Sequence, residues 1–123
     1  MMLFAFVAFA IQGDADPRCL DPQTQQEMNV CAARDFRSAD EELNRTWLVA
    51  QARAREKDRD RGPPRDNYTA LLESQRAWLR YRDSECARRA LPYREGTIVP
   101  LIRSSCLADL TRQRIEQLRG DDE

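Results

Sequence analysis

Between Met28 and Ala54, apolar residues recur in steps of four, four, three, four, four, three and four. They are Met28, Ala32, Phe36, Ala39, Leu43, Trp47, Ala50 and Ala54. This is the 3.6-residue period of an amphipathic helix, sustained with no glycine or proline inside it. Upstream, Asp21-Pro22 reads as an N-cap followed by a first-turn proline. Residues 53–61 are nearly all charged and read as a solvated helical tip, ended by Gly62-Pro63-Pro64. The spacing predicts a first helix of roughly 35 residues, about 50 Å long. A chain of 123 residues that contains such a rod has room for one domain.

Two further helices follow from the same reasoning. Asp66 is a candidate N-cap for a second helix, whose inner stripe reads Tyr68, Leu71, Leu72, Gln75, Trp78, Leu79, Arg82, Cys86 and Ala90. Pro92 stops it. A third begins around Pro100, carries Leu101, Ile102, Cys106, Leu110, Ile115 and Leu118, and places Gly120 just past its end. No segment alternates polar and apolar residues, so no strand is expected. Short connections make successive helices antiparallel neighbours. The expected fold is all-α: an elongated three-helix array, with a long antiparallel hairpin and a third helix at its open end. Phe36, Leu43, Trp47, Leu72, Trp78 and Leu79 are the expected buried anchors.

Four cysteines, Cys19, Cys31, Cys86 and Cys106, carry no C-x-x-C spacing, which argues against a zinc ribbon or a thioredoxin-type redox site. An even count in a short exported chain reads as two disulfides. Cys86 lies near the end of helix two and Cys106 near the start of helix three, at matching heights in an antiparallel pair. The favoured pairing is Cys86–Cys106 with Cys19–Cys31, and Cys31–Cys86 is the main rival. Each bridge would add about 3 kcal/mol.

Residues 1–15 read as a signal peptide. Leu3 to Ile11 are uninterruptedly apolar, too short to span a bilayer, and Ala8-Phe9-Ala10 fits a cleavage site. Cleavage is expected after Ala10 or after Ala15, leaving one helical domain, 16–123. Asp16-Pro17-Arg18 precede Cys19, where a lipid-attachment cysteine needs small apolar residues. A periplasmic or secreted protein with no membrane span in its mature chain is the expectation.

Composition excludes several functions. Histidine is absent, which removes Ser-His-Asp and Cys-His catalysis and histidine-containing zinc sites. Lys57 is the one lysine and follows Glu56, not a glycine, so there is no phosphate-binding P-loop. Twenty basic residues balance twenty-one acidic ones, so no basic footprint for nucleic acid exists. No cofactor or metal set is expected, and no catalytic residue.

The polar residues on the inner stripes are the informative exceptions. Asp40 and Asn44 flank Leu43; Gln75 and Arg82 share the stripe of Trp78. With the turn near residue 62, Asp40 and Arg82 fall at similar heights, where a carboxylate can grip a guanidinium. Either a polar clamp fixes helix register, or Asp40, Arg82 and Trp78 line a binding cleft. No second acid sits on that stripe to complete a catalytic carboxylate pair. The loop from Leu91 to Val99 carries Tyr93, Arg94 and Glu95.

These stretches resemble the small N-terminal domain of the bacterial exported LprI-like lysozyme inhibitor family. The resemblance rests on Cys19 with Thr24-Gln25-Gln26-Glu27-Met28-Asn29-Val30-Cys31, on Ala39-Asp40 and Glu42-Leu43-Asn44, and on Gln75-Arg76-Ala77-Trp78-Leu79 with Tyr81-Arg82-Asp83 and Cys86. It extends to Cys106-Leu107, Leu110-Thr111 and Arg114. It implies a helical, disulfide-bonded, non-enzymatic protein that inhibits lysozyme-type muramidases. Such an inhibitor must plug a cleft holding two catalytic carboxylates. Arg94 is the expected key, with Tyr93 supplying contact area and Glu95 beside it. The competing reading is a periplasmic binding or adaptor module for another envelope protein or a peptidoglycan fragment.

Overall fold

The computed structural model describes residues 16–120; the expected signal segment lies outside them. Three helices make up the fold: α1, Gln25–Arg61; α2, Asn67–Ala90; and α3, Val99–Gly120. Single 3-10 turns stand at Pro17–Cys19 and Leu91–Tyr93. No strand occurs among the described residues. None of the three helices is long and apolar enough to cross a membrane.

α1 has 37 residues, close to the expected rod, but it starts later than Asp21-Pro22 suggests. Thr24 is its N-cap, with Oγ1 accepting from the Glu27 amide at 3.1 Å. The Glu27 carboxylate in turn accepts from the Gln23 amide at 2.9 Å. This reciprocal arrangement satisfies two backbone donors and outcompetes the Asp-Pro start. Residues 19–24 are freed to double back, and Cys19 bonds Cys31.

The far end of α1 is helical to Arg61, and Gly62 makes the turn at φ 70°, where a side chain would be strained. The charged tip holds one residue that is not solvated. Asp58 is buried, and its carboxylate accepts from the Asn67 and Tyr68 amides at 2.9 and 3.1 Å. The Asn67 side chain adds a third bond at 2.9 Å. Asp66 occupies the expected N-cap position of α2 but makes no capping bond. The first turn of α2 is capped instead by Asp58, from the preceding helix.

α2 returns antiparallel to α1, and α3 then runs alongside both. Arg112 bonds Asp35, and Arg119 bonds Glu42, so α3 is parallel to α1. α3 is more central than a helix added at the open end: its interface with α1 is the largest of the three, and α1–α2 the smallest. It buries Cys106, Ala108, Leu110, Thr111, Ile115 and Leu118. It includes Gly120 rather than stopping before it.

The core is built of smaller side chains than expected. Leu43 is buried as predicted, together with Ala39, Ala50, Ala54 and Ala90. Phe36, Trp47, Leu72 and Trp78 are half-buried, and Leu79 faces water. Small residues on α1 let α3 approach closely, so Ile115 and Leu118 fill the space beside Leu43 and Ala50. At the other end, Cys86 and Cys106 form a bridge packed by Leu110 and Leu107. Both favoured disulfides are present, each with a Cα–Cα distance of 5.5 Å.

Two outcomes follow from the packing and capping. Ile115→Ala should cost about 3 kcal/mol and Leu79→Ala less than about 1 kcal/mol in urea unfolding. For Asp58, burial pushes the carboxyl up, but the Asn67 and Tyr68 hydrogen bonds and the Arg65 charge outweigh it and hold it below its ordinary value. Asp58 therefore stabilises the fold above about pH 4, and that contribution is lost as pH falls through the depressed value. Thermal melts should show Asp58→Asn less stable than the parent at pH 6 and less sensitive to acid. Parallel pH profiles would mean the cap contributes nothing.

Candidate functional site

Arg82 lies at the centre of the polar residues. It is buried, and its guanidinium stands 5.3 Å from the ring centres of both Phe36 and Trp78. Nε donates to Asp83 at 3.0 Å, Nη1 donates to the Thr111 hydroxyl at 3.3 Å, and Nη1 lies 3.6 Å from Asp40. Contacts from α1, α2 and α3 thus converge on one planar cation. Asp40 is the expected partner, but its side chain is 43% exposed, against 10% for Arg82. The pair is a buried guanidinium with carboxylates at its rim, not two buried charges.

Gln75 and Trp78 belong to an adjoining layer. Buried Gln75 accepts from Arg114 Nε at 2.9 Å, and Arg114 Nη2 donates to Ser74 at 3.1 Å. The Arg114 guanidinium stands 5.8 Å from the Trp78 ring, so Trp78 is flanked by two cations. Asn44 takes no part; it is exposed. One residue after Leu43, it is turned about 100° away from the inner face.

Phe36, Thr111 and Arg114 were not singled out as site residues from the stripe. Thr111 and Arg114 do stand in the stretches that carried the family resemblance. Thr111 is completely buried. Asp83 lies beside the inner stripe, yet its carboxylate reaches back to Arg82.

Tyr93, Arg94 and Glu95 lie apart from this cluster, at the end that carries both disulfides. All three are exposed. The loop is short and internally bonded: the Arg94 amide donates to Leu91 O at 3.2 Å, and the Gly96 amide to Tyr93 O at 2.7 Å. A Cβ at Gly96 would lie 3.2 Å from that same Tyr93 oxygen, so the turn is tight against glycine. Asn29 on α1 donates from Nδ2 to Thr97 O at 2.8 Å. Gln25 donates to Asn29 Oδ1 at 2.8 Å and fixes the amide. The loop is thus held at the first turns of α1 and closed by Cys86–Cys106.

The opposite flank of this end is equally fixed. Asp16 caps the 3-10 turn through the Arg18 amide at 2.9 Å, grips the Arg18 side chain, and pairs with Arg34 at 2.8 Å. The hydrogen bonds from Arg18, aided by the Arg18 and Arg34 charges, push its carboxyl down to about 2.

A disulfide-stapled three-helix bundle, with a buried arginine at its centre and a bonded loop at its stapled end, defines the class of protein. The chain belongs to the lysozyme inhibitor LprI family, whose pattern matches residues 19–118. It is also similar to an uncharacterized protein of Rhizobium meliloti (strain 1021), with 35% identity over 122 residues, covering 96% of this chain and 88% of the relative. No solved structure matches it.

The asymmetry of the Arg82 cluster has a measurable consequence. Arg82→Ala should cost about 3 kcal/mol, because it empties a packed site and strands the Thr111 hydroxyl. Asp40→Ala, at the wet rim, should cost no more than about 1 kcal/mol. Urea unfolding of both single variants and the double variant should show the Asp40 effect largely abolished once Arg82 is gone. Strict additivity would mean the two charges do not interact.

Proposed function

We propose that this protein is exported with removal of residues 1–10 or 1–15, and that it acts as a non-enzymatic inhibitor of a lysozyme-type muramidase. The loop Tyr93-Arg94-Glu95 is the inhibitory element. The observation that carries this reading is an exposed arginine on a loop whose backbone is already bonded and covalently closed. A cleft built around two carboxylates attracts a guanidinium, which can pair with both oxygens of one of them. Because the loop is ordered before binding, little conformational entropy is lost on contact. Tyr93, 47% exposed, offers the aromatic area that arginine hot spots commonly stand beside. Family membership supports the same target.

The second reading, an adaptor for an envelope protein or a peptidoglycan fragment, draws on one observation. Leu48 is 67% exposed in the middle of α1, with Val49 beside it also exposed.

Turbidity clearing of a peptidoglycan suspension by a purified lysozyme tests the proposal. The oxidised protein should slow clearing, and Arg94→Ala should weaken inhibition at least tenfold while moving stability by less than about 0.5 kcal/mol. Full inhibition by Arg94→Ala would move the contact away from the loop. Inhibition lost in Leu48→Ser but kept in Arg94→Ala would favour the α1 face.

A further inference from the structure

At the end of the bundle away from both disulfides, the last described turn of α3 stops short of its neighbours. Leu118 packs beside Ala50, whereas α1 continues to Arg61. The α1–α2 hairpin thus runs on for about 16 Å past that level. Between the two helices lies an open cavity of about 320 Å³. Small-ligand sites span ~300–1,000 Å³, so this one suits a small molecule.

The lining has two parts. Ala50 and Ala54 on α1, Leu71 on α2 and Leu118 on α3 form an apolar floor. Arg53 and Lys57 on α1, with Asn67 and Ser74 across on α2, place polar groups at the rim. Both cations are exposed. Among the described residues, no acidic side chain lines the cavity. The nearby Asp58 carboxylate is committed to the α2 amides. Elsewhere arginines are matched by carboxylates, as in Arg112–Asp35 and Arg119–Glu42. Arg53 and Lys57 are instead like charges one helical turn apart, which repel, and an anion held between them offsets that repulsion.

We infer that this cavity binds a small amphiphilic anion, a carboxylate or phosphate monoester bearing a short alkyl chain. Lys57 and Arg53 hold the charged head, and the chain lies on the floor of alanines and leucines. A bare anion would leave that floor wet, and a neutral chain would leave the two cations facing each other. The cavity lies about 30 Å along α1 from Asn29, where the 91–97 loop is tied, so it does not rest on the inhibitor reading.

Calorimetric titration of the full oxidised chain with octanoate and with octyl phosphate, both below micelle-forming concentrations, tests the site. At least one should bind, with acetate, inorganic phosphate and octanol each about tenfold weaker or worse. Binding of octanoate alone would assign a carboxylate ligand, and of octyl phosphate alone a phosphate ester. Lys57→Gln should weaken binding about tenfold. Ala70→Phe fills the cavity from an exposed lining position and should abolish binding. Both variants should melt at the parent temperature. Failure of both anions to bind overturns the site, as does octanol binding equally well or binding unaltered in both variants. Binding seen only after Asp121→Asn, Asp122→Asn and Glu123→Gln are combined also overturns it, since the cations would then be answering acids of the chain itself.

Discussion

The burial of the Arg82 guanidinium dictates the arrangement around it. A cation taken out of water needs its donors satisfied and its faces covered, or the helix carrying it will not pack. Here Thr111 and the two rim carboxylates take hydrogen bonds or charge, and Phe36 and Trp78 stand beside the plane. These partners come from all three helices, so the sliding of any one of them would break contacts to the others. An apolar core of alanines and a few large residues fixes distance between helices but is permissive about register. Polar contacts that converge on one arginine from three helices add a directional constraint that such a core lacks.

That division of labour explains what could be read from the sequence. The helical spans are encoded locally, in the three-and-four spacing from Met28 to Ala54 and in Pro92 and Gly62. The disulfide pairing followed from heights in a hairpin, because Cys86 and Cys106 sit at equivalent distances from their shared connection. The α1 start was harder: Asp21-Pro22 and Thr24 to Glu27 are both valid starting signals, and the fold-back that joins Cys19 to Cys31 uses the second. Asp58 was unreadable as a cap, since its role depends on where the Gly62 turn delivers the next helix. It looked like one more charge in a charged run.

The central position of α3 also has a sequence-level cause. A helix between two partners buries two faces, so its inner residues do not form one stripe; Leu110 and Thr111 are both buried although adjacent. The third helix thus looks less amphipathic than its burial would suggest. Asn44 shows the converse: it neighbours buried Leu43 along the chain, yet it stands on the exposed face.

The proposed activity concentrates at the end where both disulfides, the Asp16 ion pairs and the Asn29 bond hold otherwise irregular backbone. The most direct measurement is calorimetric titration of a purified lysozyme with this protein, first with the enzyme's cleft empty and then with it saturated by a tri-N-acetylglucosamine ligand. Occupation of the cleft by the Arg94 loop predicts binding in the first case and its loss in the second. Equal affinity in both would contradict the account, because the protein would then be binding the enzyme somewhere other than its active site.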